Sequence, residues 1–280
     1  MGAYFRPRTL PDALTALEQT AWLVVAGCTD VFPAHVGRPV VGNVLDVTGI
    51  DALRGIDTQD GQHRIGALAS WTDVIEASLP ASFDGLKQAA LQVGGVQVRN
   101  VATVVGNLCN ASPAADGVPP LLTLNACVEL RSTSGTRRLA LGDFITGNRH
   151  TLRRRDELVT ALLIPQAAPQ ARSCFAKLGA RDQLVIAIVC VGMLLEPGSD
   201  GTVSDARIAV GACSKVATRL PALEALLVGR PLDARLGEVV TLAHLSNMLS
   251  PIDDVRGSAA YRLQAATTLV QRNLCALGTA

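Results

Sequence analysis

The chain has 280 residues, 49% of them apolar and 18% charged, enough for one large core or two modest ones, and two domains are expected. Its 25 Lys and Arg balance 24 Asp and Glu, so electrostatics gives no reason to expect nucleic acid, an anionic membrane or a strongly acidic ligand as partner. Seven cysteines, at positions 28, 109, 127, 174, 190, 213 and 275, form no CxxC pair and sit mostly in apolar stretches, which predicts free thiols in a reducing, cytoplasmic compartment.

The start, "MGAYFRPRTLPDALTAL", has no apolar signal core, and Arg6 stands where a myristoylation signal needs Ser or Thr. No segment reaches the roughly 18 uninterrupted apolar residues of a membrane span. Thr9 can cap a short helix with Pro11 in its first turn and Leu10, Leu14 and Leu17 on one face. A buried strand, "AWLVVAG", follows. "SFDGLKQAALQVGG" has helical spacing through Leu86, Ala89, Ala90 and Val93, and the β-branched run "QVRNVATVV" after it reads as extended. Beyond residue 122 come hairpin signals: "ACVELRS", a Ser134-Gly135 turn, "TRRLAL", then "ELVTALLIP" closed by Pro165. The aperiodic "QAAPQ" at 166–170 sets the domain boundary, giving domains 1–168 and 169–280. In the second, "SCFAKLG", "IAIVCVGMLLE" and "SDARIAVGACS" predict an antiparallel meander. Two or three helices finish the chain, the clearest at 257–277 with Ala259, Leu263, Ala266, Val270, Leu274 and Leu277 on one face.

Two stretches can carry chemistry. "LVVAGCTD" is an apolar strand that stops at Gly27 and exposes Cys28, Thr29 and Asp30 in a turn, where glycine lets a ligand approach the main chain. "VATVVGNLCNASPAADGVPPLL" repeats the device around Val105, Gly106 and Asn107. Two such turns can clamp a pyrophosphate between backbone amides, helped by the Thr29 and Thr103 hydroxyls and the Asn107 amide. No GxGxxG opens a helix, and the second turn is expected to continue as a loop through Pro113, which disfavours a Rossmann domain. Asp116, among small residues, suits a carboxylate that accepts hydrogen bonds from sugar or ribitol hydroxyls, or equally one that caps its own loop. His35, His63, His150 and His244 lie far apart without metal-ligand spacing, and no nucleophile-base arrangement stands out, so a cofactor is expected to carry any redox chemistry. "RHTLRRRDE" places four arginines within seven positions, as a solvated face or a docking surface.

Four ordered blocks, "AGCTD", "QVRNVATVVGNLCNASPAADGVPPLLTLNACVEL", "FAKLGARDQLVIAIVCVGM" and "ARIAVGACSKVATRLPALEALLVGRPL", resemble the FAD-binding medium subunit of molybdenum hydroxylases of the xanthine and carbon monoxide dehydrogenase type. The resemblance implies an α+β fold: a two-subdomain FAD-binding domain of the vanillyl-alcohol-oxidase (PCMH) type, then a small C-terminal domain with a three-stranded antiparallel sheet and helices. It implies that Ala26, Gly27, Cys28, Thr29, Asp30 and Val31, with Ala102, Thr103, Gly106 and Asn107, wrap the FAD diphosphate. Asp116 would contact flavin hydroxyls, and Leu158 and Lys177 would lie by the isoalloxazine. It further implies a large molybdopterin-binding subunit and a small 2Fe-2S subunit as partners, a dimer of such heterotrimers, and electron flow through FAD to NAD or another acceptor. Cys109 and Cys127 are the only cysteines between residues 100 and 170, too few to ligate an iron-sulfur cluster on this chain. Other readings are a flavin-free assembly subunit and an independent flavin oxidoreductase. Where the family often has Ala-Gly-Gly-Thr and Gly-Gly-Asn, this chain has Cys28 and Val105 in place of a glycine. If either must take positive φ, it would cost about 1 kcal/mol.

Overall fold

The computed structural model describes residues 2–182 and 184–279. Thr9 starts the first helix: its hydroxyl accepts the Asp12 N–H at 3.3 Å, and α1 (Leu10–Gln19) buries Leu14 and Leu17. This helix links β1 (Tyr4–Phe5) to β2 (Leu23–Val25). After α2 (Val31–Ala34), β3 (Val44–Asp46) enters between β1 and β2 and pairs parallel with both, an arrangement that needs crossovers rather than hairpins.

β4 (Ile56–Gln59) and β5 (Gln62–Gly66) form a hairpin. Five helices then follow: α3 (Trp71–Glu76), α4 (Asp84–Gln92), α5 (Val96–Arg99), α6 (Val104–Asn110) and α7 (Val118–Thr123). β6 (Cys127–Ser132) and β7 (Gly135–Ala140) make a second hairpin, turning at Thr133 and Ser134, one residue earlier than expected. Past α8 (Leu141–Phe144), β8 (Ile145–Gly147) and β9 (His150–Thr151), β10 (Leu158–Pro165) inserts antiparallel between β5 and β6. The sheet order is β4-β5-β10-β6-β7. β10 is buried from Leu158 to Ile164 because both faces of this central strand are covered, which explains its unbroken apolar run.

One expectation fails here. "QVRNVATVV" is not extended: residues 96–99 form α5, and α6 begins at Val104, so the second turn opens a helix instead of continuing as a loop. The valines resemble a strand in composition, but Thr103 overrides them. Its hydroxyl accepts the Gly106 N–H at 2.9 Å and caps α6, whose Val104, Val105 and Leu108 pack into the core.

Residues 166–170 lead from β10 to β11 (Arg172–Leu178), which pairs with β12 (Val189–Pro197), and β12 with β13 (Val203–Gly211), as an antiparallel meander. To the three expected strands the structure adds a two-residue fourth, β14 (Thr218–Arg219), on the β13 edge. α9 (Pro221–Leu227), α10 (Leu242–Ser246) and α11 (Ala259–Thr279) complete this half. α11 buries Ala266, Val270, Leu274 and Leu277 against a core with Val191, Met193 and Leu223, separate from the N-terminal core around Trp71, Phe83 and Phe144. The halves meet where the Ser173 hydroxyl accepts the Gly85 N–H at 2.9 Å and Gln88 Oε1 accepts the Phe175 N–H at 2.7 Å.

Candidate cofactor-binding cleft

The parallel sheet ends at Val25, and the chain turns through residues 26–30 before α2. Gly27 lies against the backbone of the second turn: a Cβ there would sit 1.9 Å from the Val101 carbonyl oxygen, so any larger residue would push the turns apart. Cys28 adopts φ +58°, the left-handed conformation that glycine enters freely and other residues enter at a cost. Its Sγ–H donates to the Ala26 carbonyl at 3.3 Å, and burial raises its thiol pKa, with Asp46 adding to the effect. Cys28 is therefore a protonated turn residue rather than a nucleophile.

The second turn is held from the other side. The Trp71 N–H donates to the Ala102 carbonyl and the Val104 N–H to the Ala69 carbonyl, both at 3.1 Å, fixing Thr103 beside Ser70. Val105, the other position where the resemblance leads one to expect glycine, is a buried helical residue and not one with positive φ. The expected backbone cost therefore falls on Cys28 alone.

The two turns line one cavity of about 490 Å³. Ala26, Gly27, Cys28, Thr29, Asp30, Val31, Ala102, Thr103, Gly106, Asn107 and Leu158 all face it. Trp71, Cys109, Asn110 and Arg153 do so as well, none of them among the cofactor-binding residues expected from sequence. Cys109 is reached by solvent within the cleft, yet enough protein surrounds it to push its thiol up to about 11, with Arg153 opposing the shift. Arg149 bonds Asn110 Oδ1, while Arg154 and Arg155 are exposed, so the arginine run divides between the cleft wall and a solvated face.

Asp116 and Lys177 do not line this cavity. Lys177 Nζ donates to Asp116 Oδ2 at 2.6 Å, and both side chains are nearly buried, at 11% and 4% exposure for Asp116 and Lys177. Burial raises the Asp116 carboxyl above its ordinary range, against the pull of Lys177. Lys177 also faces a second depression of about 420 Å³ shared with Gln92, Gly179 and Arg181. Asp116 Oδ1 and Asn107 Oδ1 are buried without a hydrogen-bond partner among the described residues. An acceptor left so costs about 1–3 kcal/mol until a hydroxyl or N–H donor reaches it, and of the two residues only Asn107 lines the cleft. A glycine-lined cleft, a threonine-capped turn and orphan acceptors fit a polar, hydroxylated cofactor such as FAD.

Among the described residues no helix is long and apolar enough to cross a membrane. Comparison with known proteins agrees with the cleft. The family model described as the FAD binding domain in molybdopterin dehydrogenase matches residues 1–167, and that of the CO dehydrogenase flavoprotein C-terminal domain matches residues 174–277. The chain is 31% identical to the nicotinate dehydrogenase FAD-subunit of Eubacterium barkeri, over 94% of this chain and 91% of that one. It is 30% identical to the xanthine dehydrogenase FAD-binding subunit of Escherichia coli O157:H7, over 96% and 94%. Its fold matches a chain of the carbon monoxide dehydrogenase from Hydrogenophaga pseudoflava with a TM-score of 0.88 at 25% identity, covering 100% of this chain and 98% of that one.

Proposed function

We propose, from the premise that this chain belongs to the family of FAD-binding medium subunits of molybdenum hydroxylases, that it carries electrons between a partner's 2Fe-2S clusters and an outside acceptor, NAD or another, through FAD. One observation carries the reading: two glycine-bearing turns, distant in sequence, line one cleft together with Asn107, whose buried Oδ1 has no partner among the described residues. FAD supplies the redox chemistry, which the residues of the cleft do not.

In this reading Ala26, Gly27, Cys28, Thr29, Asp30 and Val31 hold the diphosphate from one side, and Ala102, Thr103, Gly106 and Asn107 from the other. Leu158 gives an apolar wall. Asp116 accepts from flavin hydroxyls through its free Oδ1 while Lys177 holds its other oxygen, and the Lys177 charge favours added electron density on a nearby ring. The domains divide near residue 168. The molybdenum cofactor and the 2Fe-2S clusters reside on a large and a small partner subunit, joined with this chain in a dimer of heterotrimers. The unpaired cysteines suit a cytoplasmic setting.

The test is the visible absorption spectrum of the purified chain, with identification of any flavin released on denaturation. Flavin bands and equimolar FAD support the reading. A protein that stays colourless with added FAD refutes it and favours a flavin-free assembly subunit, for which the strained Cys28 turn would be the cause.

A further inference from the structure

The cleft has two charged side chains among the described residues that line it, Asp30 and Arg153. Arg153 is the sole cation there. It lies just before β10, is half-buried, and is close enough to Cys109 of α6 to oppose the rise of its thiol pKa. Nη1 donates to the carbonyls of Glu157, at 2.7 Å, and Arg154, at 3.2 Å, which fixes the guanidinium without neutralising it. Arg137 differs: its Nε and Nη2 pair side-on with the two Glu157 carboxylate oxygens, at 2.5 and 2.8 Å. Arg153 has no carboxylate within 4.0 Å, and its Nε and Nη2 have no acceptor, among the described residues.

A partly desolvated guanidinium held by neutral carbonyls, with two donors free, is a site for an anion or a hydroxylated ring. We infer that Arg153 binds the adenosine diphosphate half of FAD and so selects FAD over FMN, an assignment that rests on the cofactor reading above. The diphosphate brings the negative charge that the wall otherwise lacks a cation to meet. The ribose brings acceptors for the free donors. The two turns supply neutral amides and hydroxyls to the same group, so Arg153 adds charge rather than duplicating them.

The experiment titrates the flavin-depleted full chain with FAD, ADP and FMN by fluorescence, for the wild type, Arg153→Gln and Arg153→Lys, and records the Tm of each ligand-free protein. In Arg153→Gln, the FAD and ADP dissociation constants should rise together by about 10- to 100-fold, with FMN binding and Tm unchanged. Arg153→Lys should recover part of the loss, because it restores the charge but not the fork. Unchanged FAD and ADP affinities in Arg153→Gln would overturn the assignment. Equal weakening of FMN, or a fall in Tm that Lys does not reverse, would also overturn it and make Arg153 a structural clip for the 151–157 loop. A wild type that binds neither FAD nor ADP would defeat the cofactor reading itself, and this assignment with it; the variant comparison alone tests Arg153.

Discussion

The two turns of the cleft meet a similar demand with different backbones. The first, at residues 26–30, is an open turn that needs a glycine at 27 and places Cys28 at φ +58°. The second, at residues 102–107, is the capped start of a helix, in which every residue has ordinary negative φ and Val105 contributes to the core. Both hold a larger residue where the resemblance leads one to expect glycine, yet only Cys28 is strained. Conformation, not residue type, decides which substitution costs stability.

The largest effect is expected at Gly27. Gly27→Ala places a methyl 1.9 Å from the Val101 carbonyl, a backbone atom that cannot swing away, and should cost about 3 kcal/mol in denaturant unfolding along with most FAD binding. Val105→Gly should cost nearly as much, about 2–3 kcal/mol, because it empties a core position and weakens a helix. A neutral result would mean that this turn, too, prefers glycine. Thr103→Ala removes the cap and should cost about 1 kcal/mol, which Thr103→Ser should largely restore. Cys28→Gly is the smallest change and has the opposite sign: a gain of up to about 1 kcal/mol as the left-handed strain is relieved. Opposite signs for Cys28→Gly and Val105→Gly, although both introduce a glycine at a cleft turn, are what separates the two backbones.

Much of the scaffold was legible in the sequence, because burial imposes periodicity. The face of α11, the Thr9 cap and the β6-β7 hairpin follow from apolar spacing and turn residues. The stretch 97–105 was not, since its valines carry a β signal while the helix depends on one hydroxyl and on packing from Trp71 and Ala69. At the cleft, glycine punctuation exposed both turns. Arg153 was hidden inside an arginine run, and its place on the wall arises from the route of the chain between β9 and β10. Asp116 stood out in its loop of small residues, whereas Lys177 entered through family resemblance; their ion pair spans 61 residues and no local pattern encodes it.

If the cleft is shaped for a ligand at some expense to the empty fold, Asn107 is where that expense can be read. Its Oδ1 is buried without a partner among the described residues, so Asn107→Ala should leave the Tm of the flavin-depleted chain unchanged or higher while raising the FAD dissociation constant about tenfold, as titration by flavin fluorescence would record. FAD affinity equal to the wild type would contradict the account.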